Sequence, residues 1–318
     1  MRTDENYGIK GESMRIILIG QAAFAEKTLE KLVEKGEEVV AVFCPPDAAQ
    51  GKFDPVKQKA IELGVPVHQH KSMKKEPEVL QKFKDLNADL AILAFVTQIV
   101  PESVFSTPKW GSICFHPSLL PKYRGRSAMN WALINGETKT GLTLFWVDQG
   151  IDTGPILLQK EVDIDPDDTT GSLYFNQIFS LGVDAIAESV DLIKAGNPPR
   201  IVQDESLANY DAPCGDEHGQ VDWSQPAQQI YNQIRGCDPQ PGAHTAWQGK
   251  MIRLYDCRLQ PASGNSSAGQ VVEVGEETVS IAAPGGTIVA KKMRGEGKKV
   301  AAAEVAKQSG FGVGDTLG

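Results

Sequence analysis

Arg15-Ile16-Ile17-Leu18-Ile19-Gly20, continued by Gln21-Ala22-Ala23-Phe24 and a stretch running to Lys35, decides the fold class. An apolar run stopped by glycine reads as a buried strand. Phe24, Leu29, Leu32 and Val33 then recur at helical spacing, and Gly36 is a fitting stop. The alternation repeats. Glu38–Phe43, Val65–Val67, Leu90–Val96 and Gly111–His116 read as strands, and Val56–Leu63 and Pro77–Leu86 as helices. Strands alternating with helices imply a Rossmann-like α/β parallel sheet with right-handed crossovers. A dinucleotide site at the first turn is disfavoured. The turn has only Gly20 where the fingerprint needs three glycines to let a pyrophosphate approach the backbone.

Further along, Ala128–Ile134 reads as a helix, Gly141–Val147 and Pro155–Val162 as strands, and Thr170 to about Ala195 as one long helix. Residues 204–220 are polar and irregular, which suits a linker. Beyond them come the helix Ala227–Ile234 and short apolar runs at Met251–Tyr255, Gln270–Val274, Thr278–Ala282 and Thr287–Val289. Short strands between Gly and Pro turns suggest a small antiparallel β-barrel, OB-like in kind. The expected organisation is therefore residues 1–13 as a tag or disordered extension, 14–203 as a catalytic domain, 204–220 as a linker and 221–318 as the barrel.

The 318 residues carry 32 basic and 41 acidic side chains, a net charge of −9, with 41% hydrophobic and 23% charged residues. That is ordinary globular composition and disfavours disorder, collagen and coiled coil. The longest apolar run, Leu90–Val96, is far short of a membrane helix. Five scattered cysteines show no zinc or redox spacing, so reduced thiols in a cytoplasmic protein without a metal are expected. The acidic balance weakly disfavours nucleic acid as a partner. Lys291–Lys299 is a basic run that contacts phosphates or, more commonly for such lysines, guards an exposed strand edge.

Two stretches can carry chemistry. His116 sits where an apolar strand meets the loop Pro117-Ser118-Leu119-Leu120-Pro121-Lys122-Tyr123-Arg124-Gly125. Ligands of open parallel sheets bind at the carboxyl ends of strands, where a histidine serves as an acid, a base or an oxyanion donor. The plain alternative is a histidine that caps its strand. Asp148-Gln149-Gly150-Ile151-Asp152-Thr153-Gly154 also follows a strand. A carboxylate from this loop can face His116 and orient its ring, or else cap its own turn. Asp148, immediately after the strand, is the better turn former. Trp131 and Trp146 read as packing residues.

His116-Pro117-Ser118-Leu119-Leu120-Pro121 with Arg124-Gly125, and then Asp148–Gly154, resemble the signature of the folate-dependent formyltransferases. The resemblance extends through Val221-Asp222-Trp223-Ser224-Gln225-Pro226-Ala227, Ile234-Arg235-Gly236 and Pro241-Gly242-Ala243. These resemble the carboxyl-terminal domain of the methionyl-tRNA and 10-formyltetrahydrofolate dehydrogenase branches. The similarity implies His116 and Asp152 as catalytic residues. It also implies a folate site at Leu93, Ala94, Phe95, Val147, Asp148 and Gly150, with Ser118, Leu119, Leu120, Pro121, Arg124 and Gly125 as a structural motif.

The family's usual Asn-x-His is Cys114-Phe115-His116 here, so the oxyanion-holding asparagine is missing, as in the hydrolase domain of the dehydrogenase branch. The loop Cys44–Asp54 has one lysine and two aspartates, a poor tRNA clamp. The expectation is a 10-formyltetrahydrofolate hydrolase or formyltransferase that yields tetrahydrofolate and acts on water, an amine or a carrier thiol. Methionyl-tRNA formyltransferase is the alternative, with Lys291–Lys299 as the tRNA contact, and a catalytically silent folate-binding protein is a second. Neither a membrane nor a metal is implied.

Overall fold

The computed structural model describes residues 13–47, 51, 53–262, 264 and 266–318. The expected extension, apart from Ser13, lies outside them. The chain packs as two compact units that alternate along the sequence. The first comprises residues up to Arg124, Gly141–Glu161 and Ile178–Asn209. The second comprises Gly125–Thr140, Val162–Gln177 and Tyr210–Gly318.

The first unit is built on a sheet of β1 (Arg15–Gly20), β2 (Glu38–Cys44), β3 (Val67–Gln69), β4 (Leu90–Ala94), β5 (Ser112–His116), β6 (Lys139–Trp146) and β7 (Ile156–Asp163). Their order is β3-β2-β1-β4-β5-β6-β7. β1 runs parallel to β2 and β4, β2 to β3, and β4 to β5, whereas β5 and β6 are antiparallel. The sheet is thus parallel-dominated rather than wholly parallel. β1, β2, β4 and β5 are largely apolar because helices cover them on both faces, whereas the edge strand β3 is half-buried and mostly polar. On one face Ile17, Ile19, Phe43, Phe83 and Leu93 share a buried cluster. On the other, Phe24 of the helix Ala22–Glu34 packs on Phe115 and Phe179, with ring centroids 4.4 and 5.6 Å apart.

The chain steps outward from β1 to β3 and returns to β4 on the other side of β1. Ligands bind at such a switch point in open α/β sheets. Gly20 pairs with Ala94 there. A Cβ on Gly20 would lie 2.3 Å from the Ala94 carbonyl oxygen, so only glycine lets the two strands end side by side.

The long helix expected from Thr170 is instead a short α-helix, Thr170–Leu173, a π-helical turn, Tyr174–Ile178, and the helix Phe179–Lys194. One of the points where the chain passes between the units falls at Gln177 and Ile178, at the end of that turn.

The second unit has β8 (His244–Trp247), β9 (Lys250–Gln260), β10 (Val271–Val274), β11 (Val279–Ala283), β12 (Gly286–Arg294) and β13 (Val300–Ala301). They form an open antiparallel half-barrel in the order β10-β11-β12-β9-β8, with β13 beside β12. Ile230, Tyr231 and Ile234 of the helix Ala227–Cys237 pack against Ile252, Leu254, Ile281 and Ile288. The edge-guard expectation for the lysine run fails. Lys292 is paired with Tyr255 on one side and Ala301 on the other, so it stands on an interior strand. Met293 between the charges is fully buried.

Candidate active site

His116 ends β5 and is buried at 5% exposure. Its Nε2 lies 2.8 Å from the carbonyl oxygen of Tyr123. A carbonyl only accepts, so Nε2 carries the hydrogen and Nδ1 is the ring atom left to exchange a proton. Nδ1 faces Asp152 Oδ2 at 3.4 Å. The two residues singled out in the sequence therefore meet. The separation is looser than a short ionic hydrogen bond, as is common before substrate tightens a site.

Both supporting loops are strained. Tyr123 and Asp152 have φ of 59° and 57°, and Phe95, directly after β4, has 62°. A non-glycine residue there costs about 1–2 kcal/mol, and such residues cluster at functional sites.

The His116–Gly125 loop is pinned. Ser118 Oγ donates to the Lys122 carbonyl at 2.7 Å. Thr143 Oγ1 donates to the Ser118 carbonyl at 2.7 Å and accepts from the Leu120 amide at 3.1 Å. Leu119 is half-buried, with its Cδ2 close against the bare Gly141 backbone. Pro121 is half-buried, and Gly125 takes a φ of 99°. Arg124, 2% exposed, binds Gln203 and Glu205 and holds the Glu205 carboxyl below its usual range.

Asp148 proves to be the turn former. Its Oδ1 accepts from the Gly150 amide at 3.1 Å and from Thr153 Oγ1 at 2.6 Å. That leaves Asp152 as the carboxylate aimed at the histidine. Cys114 is half-buried, pairs with Leu93 and Phe145 across the sheet, and packs, as Val96 and Val147 do, against the buried cluster that contains Leu93. Burial first, and the Asp152 charge second, push its thiol up, so it stays protonated and a poor nucleophile.

Leu93 and Ala94 are buried strand residues, whereas Phe95 is 44% exposed. Gly150 is exposed. Phe95, Val96 and Thr97 line a narrow cleft with Gly20, Gln21 and Phe43, at the switch point. A pyrophosphate is shut out of the adjoining helix start, because both carboxylate oxygens of Asp54 accept the Ala22 amide at 2.9 and 3.0 Å. This also changes the reading of the Cys44–Asp54 loop, of which residues 48–50 and 52 lie outside the described set. Asp54 caps two helix starts, and Asp47 is bound to Lys57 and Gln69, so its aspartates are internal partners and not a tRNA-repelling surface.

Among the described residues, His70, Glu76 and Glu78 are the only set within metal-ligating reach of one another. His70 Nδ1 is already hydrogen-bonded to Glu76 at 2.6 Å, so these two groups serve as each other's partners. No described helix is long and apolar enough to cross a membrane. Sequence reasoning missed Tyr123, Gln203 and Asn209, which hold the pair through backbone groups.

These features define an α/β unit with a histidine–carboxylate pair at its strand ends, in one chain with an antiparallel half-barrel. The formyl transferase family signature matches residues 14–188, and that of the formyl transferase C-terminal domain matches residues 215–309. The chain belongs to the formyl transferase family. It is 40% identical over 291 residues to a methionyl-tRNA formyltransferase of Geotalea uraniireducens, covering 90% of this chain and 92% of that one. It is 41% identical over 254 residues to the mitochondrial 10-formyltetrahydrofolate dehydrogenase of Mus musculus, covering 79% of this chain and 27% of that one. The fold matches Aquifex aeolicus HypX, solved with tetrahydrofolic acid, with a TM-score of 0.70 at 21% identity over 95% of this chain and 48% of that one.

Proposed function

We propose that the protein transfers the formyl group of 10-formyltetrahydrofolate to an amine through His116 and Asp152. The observation that carries this is buried His116, at the end of β5, facing half-buried Asp152 at 3.4 Å in a chain of this family. The acceptor nitrogen attacks the formyl carbon and forms a C–N bond while the carbonyl oxygen takes the negative charge. The bond from carbon to the folate nitrogen then breaks. The proton lost by the acceptor is delivered to that nitrogen, leaving tetrahydrofolate and a formylated amine. Nε2–H of His116 stays on the Tyr123 carbonyl, so Nδ1 is the atom that takes up and returns the proton. Asp152 stabilises the imidazolium and accepts from the attacking amine. Phe95, Val96 and Val147 offer the apolar walls suited to a pterin.

Methionyl-tRNA is the acceptor best supported, because the relatives matched over nine-tenths of both chains carry that activity in their names. This ranks above the hydrolase reading. Hydrolysis remains the second reading on one observation: Cys114 stands where an oxyanion-holding amide is expected. A thiol is a weak donor, and loss of such an amide costs about 2.7–4 kcal/mol of barrier in other enzymes.

The test supplies 10-formyltetrahydrofolate with charged initiator tRNA, with sugar-nucleotide amines, with a carrier thiol and with water alone. Tetrahydrofolate release is followed in each case. Release that depends on charged tRNA and falls steeply with salt is expected. Release at the same rate in water alone replaces the transferase reading with the hydrolase. Folate binding without release on any acceptor overturns both.

A further inference from the structure

His116 and Asp152 hang from adjacent residues. His116 Nε2 donates to the Tyr123 carbonyl. The next residue, Arg124, places Nε and Nη2 on Gln203 Oε1 at 3.1 and 2.8 Å. Gln203 is itself buried, at 5% exposure. Its Nε2 donates to the main-chain carbonyls of Asp152 and Gly154 at 2.9 and 2.7 Å. Chemistry allows the amide only this orientation. A guanidinium only donates and the two carbonyls only accept, so Oε1 must face Arg124 and the amide nitrogen must face the loop. Glu205 closes the other side of the guanidinium at 2.9 and 2.7 Å. Asn209 fixes the backbone of the same corner, accepting from the Tyr123 amide on Oδ1 at 2.8 Å and from the Arg124 amide on its carbonyl at 3.1 Å.

Asp152 needs this support. Its left-handed backbone, φ 57°, persists only where surrounding bonds over-determine it. One buried amide bonding carbonyls on both sides of Thr153 supplies two such bonds.

We infer that Gln203 is a positioning residue that fixes the strained Asp152 loop and so keeps the carboxylate against His116 Nδ1. It bonds neither side chain of the pair. The inference rests on the reading of His116 and Asp152 as the acid–base pair. Loss of the amide lets the loop relax away from the histidine, while Phe95 and Val96, on a different strand end, and Val147, tied by its amide to the Ser112 carbonyl at 2.8 Å, keep the folate walls intact.

Gln203→Met preserves length and removes both donors, and Gln203→Glu preserves shape but sets a carboxylate against two carbonyls. With the acceptor the wild type uses, each folded variant is expected to lose about 10–100-fold in kcat, the usual effect of removing a group that orients an active-site side chain. KM for the formyl donor should stay within about two-fold, since uniform binding is untouched. Adding Gln203→Met to Asp152→Ala should cost nothing more, because residues acting through one another are not additive. Thermal unfolding identifies folded variants.

An unchanged kcat in folded Gln203→Met, or a full further loss in the Asp152→Ala background, overturns the inference. A wild type that releases no tetrahydrofolate with any acceptor instead overturns the functional reading. The ring ¹⁵N resonances of His116 at neutral pH then decide the positioning role. A shift in Gln203→Met supports it, and unchanged resonances overturn it.

Discussion

Two buried histidines of the first unit each face a carboxylate, and they differ in everything else. His70 Nδ1 meets Glu76 at 2.6 Å, with the ring stacked on Phe43 at a centroid distance of 5.9 Å. Glu76 lies on the same connection and also accepts the Ser72 amide at 3.0 Å, so its work is local. His70 Nε2 is buried and has no hydrogen-bond partner among the described residues. His116 has the longer contact, 3.4 Å, but its other nitrogen is tied to a main-chain carbonyl and its carboxylate arrives from the loop after another strand. A short histidine–carboxylate distance therefore says little about chemistry. A tautomer fixed from behind and a carboxylate held in a strained loop say more.

The contrast is broken most directly by removing each pair. His116→Ala or Asp152→Ala should lower tetrahydrofolate release by about 10²–10⁴-fold with folate still bound, the range for a positioned acid or base. His70→Ala should leave kcat in the folded protein almost unchanged. Equal losses from both histidines would erase the distinction.

Strain in the Asp152 loop is tested next, at Gly154. A Cβ there would sit 1.6 Å from the Trp146 carbonyl oxygen, so Gly154→Ala must push the loop outward. The expected result is about 1–3 kcal/mol lost in urea unfolding, typical of overpacking, and about a ten-fold drop in kcat. A stable, fully active variant would mean the loop tolerates displacement and the strain is incidental.

Cys114→Asn sharpens the acceptor question. A single oxyanion donor is worth about 10²–10³ in other enzymes. A partial gain of about ten-fold in transfer to an amine is expected, since an amide donates to the oxyanion where the Cys114 thiol is only a weak donor. If the variant changes hydrolysis and transfer equally, Cys114 is a packing residue and does not decide between acceptors.

These tests target residues whose legibility in the sequence was uneven. His116 was visible because it ends an apolar run at Pro117, where a strand end must lie, and Asp152 because it sits in a polar, Gly-containing loop after a strand, where the family resemblance singled it out. Gln203, Tyr123 and Asn209 were not. Tyr123 and the Asp152 loop are held through carbonyls and amides, which leave no residue-type signal, and the polar run beginning at Gln203 looks like a linker edge. Its packing onto Arg124 depends on a buried guanidinium that composition does not reveal. The strands β8 and β13 and the helix Ala302–Ser309 were also missed, being short or rich in alanine. Lys291–Lys299 misled for a related reason. Charge suggested an edge, but β13, only two residues long, is enough to pair the far side of β12.

The smallest effect belongs to the local pair. The hydrogen bond from His70, and then the Ser72 amide, hold the Glu76 carboxyl below its ordinary value of 4.5. Unfolded Glu76 returns to that value, so between the two the unfolded chain binds more protons. The stabilisation is complete above the unfolded value and disappears as pH falls through the lowered folded one. Glu76→Gln has no carboxyl to titrate. Its stability, from urea unfolding at several pH values from about 5.5 down to about 3, should therefore fall less steeply with acid than that of the wild type. Its neutral-pH turnover should change by less than about two-fold, because Glu76 works only on its own turn. Parallel acid limbs in the two proteins would show that the His70–Glu76 bond contributes nothing to folding, and a loss of turnover would make this pair part of the chemistry after all.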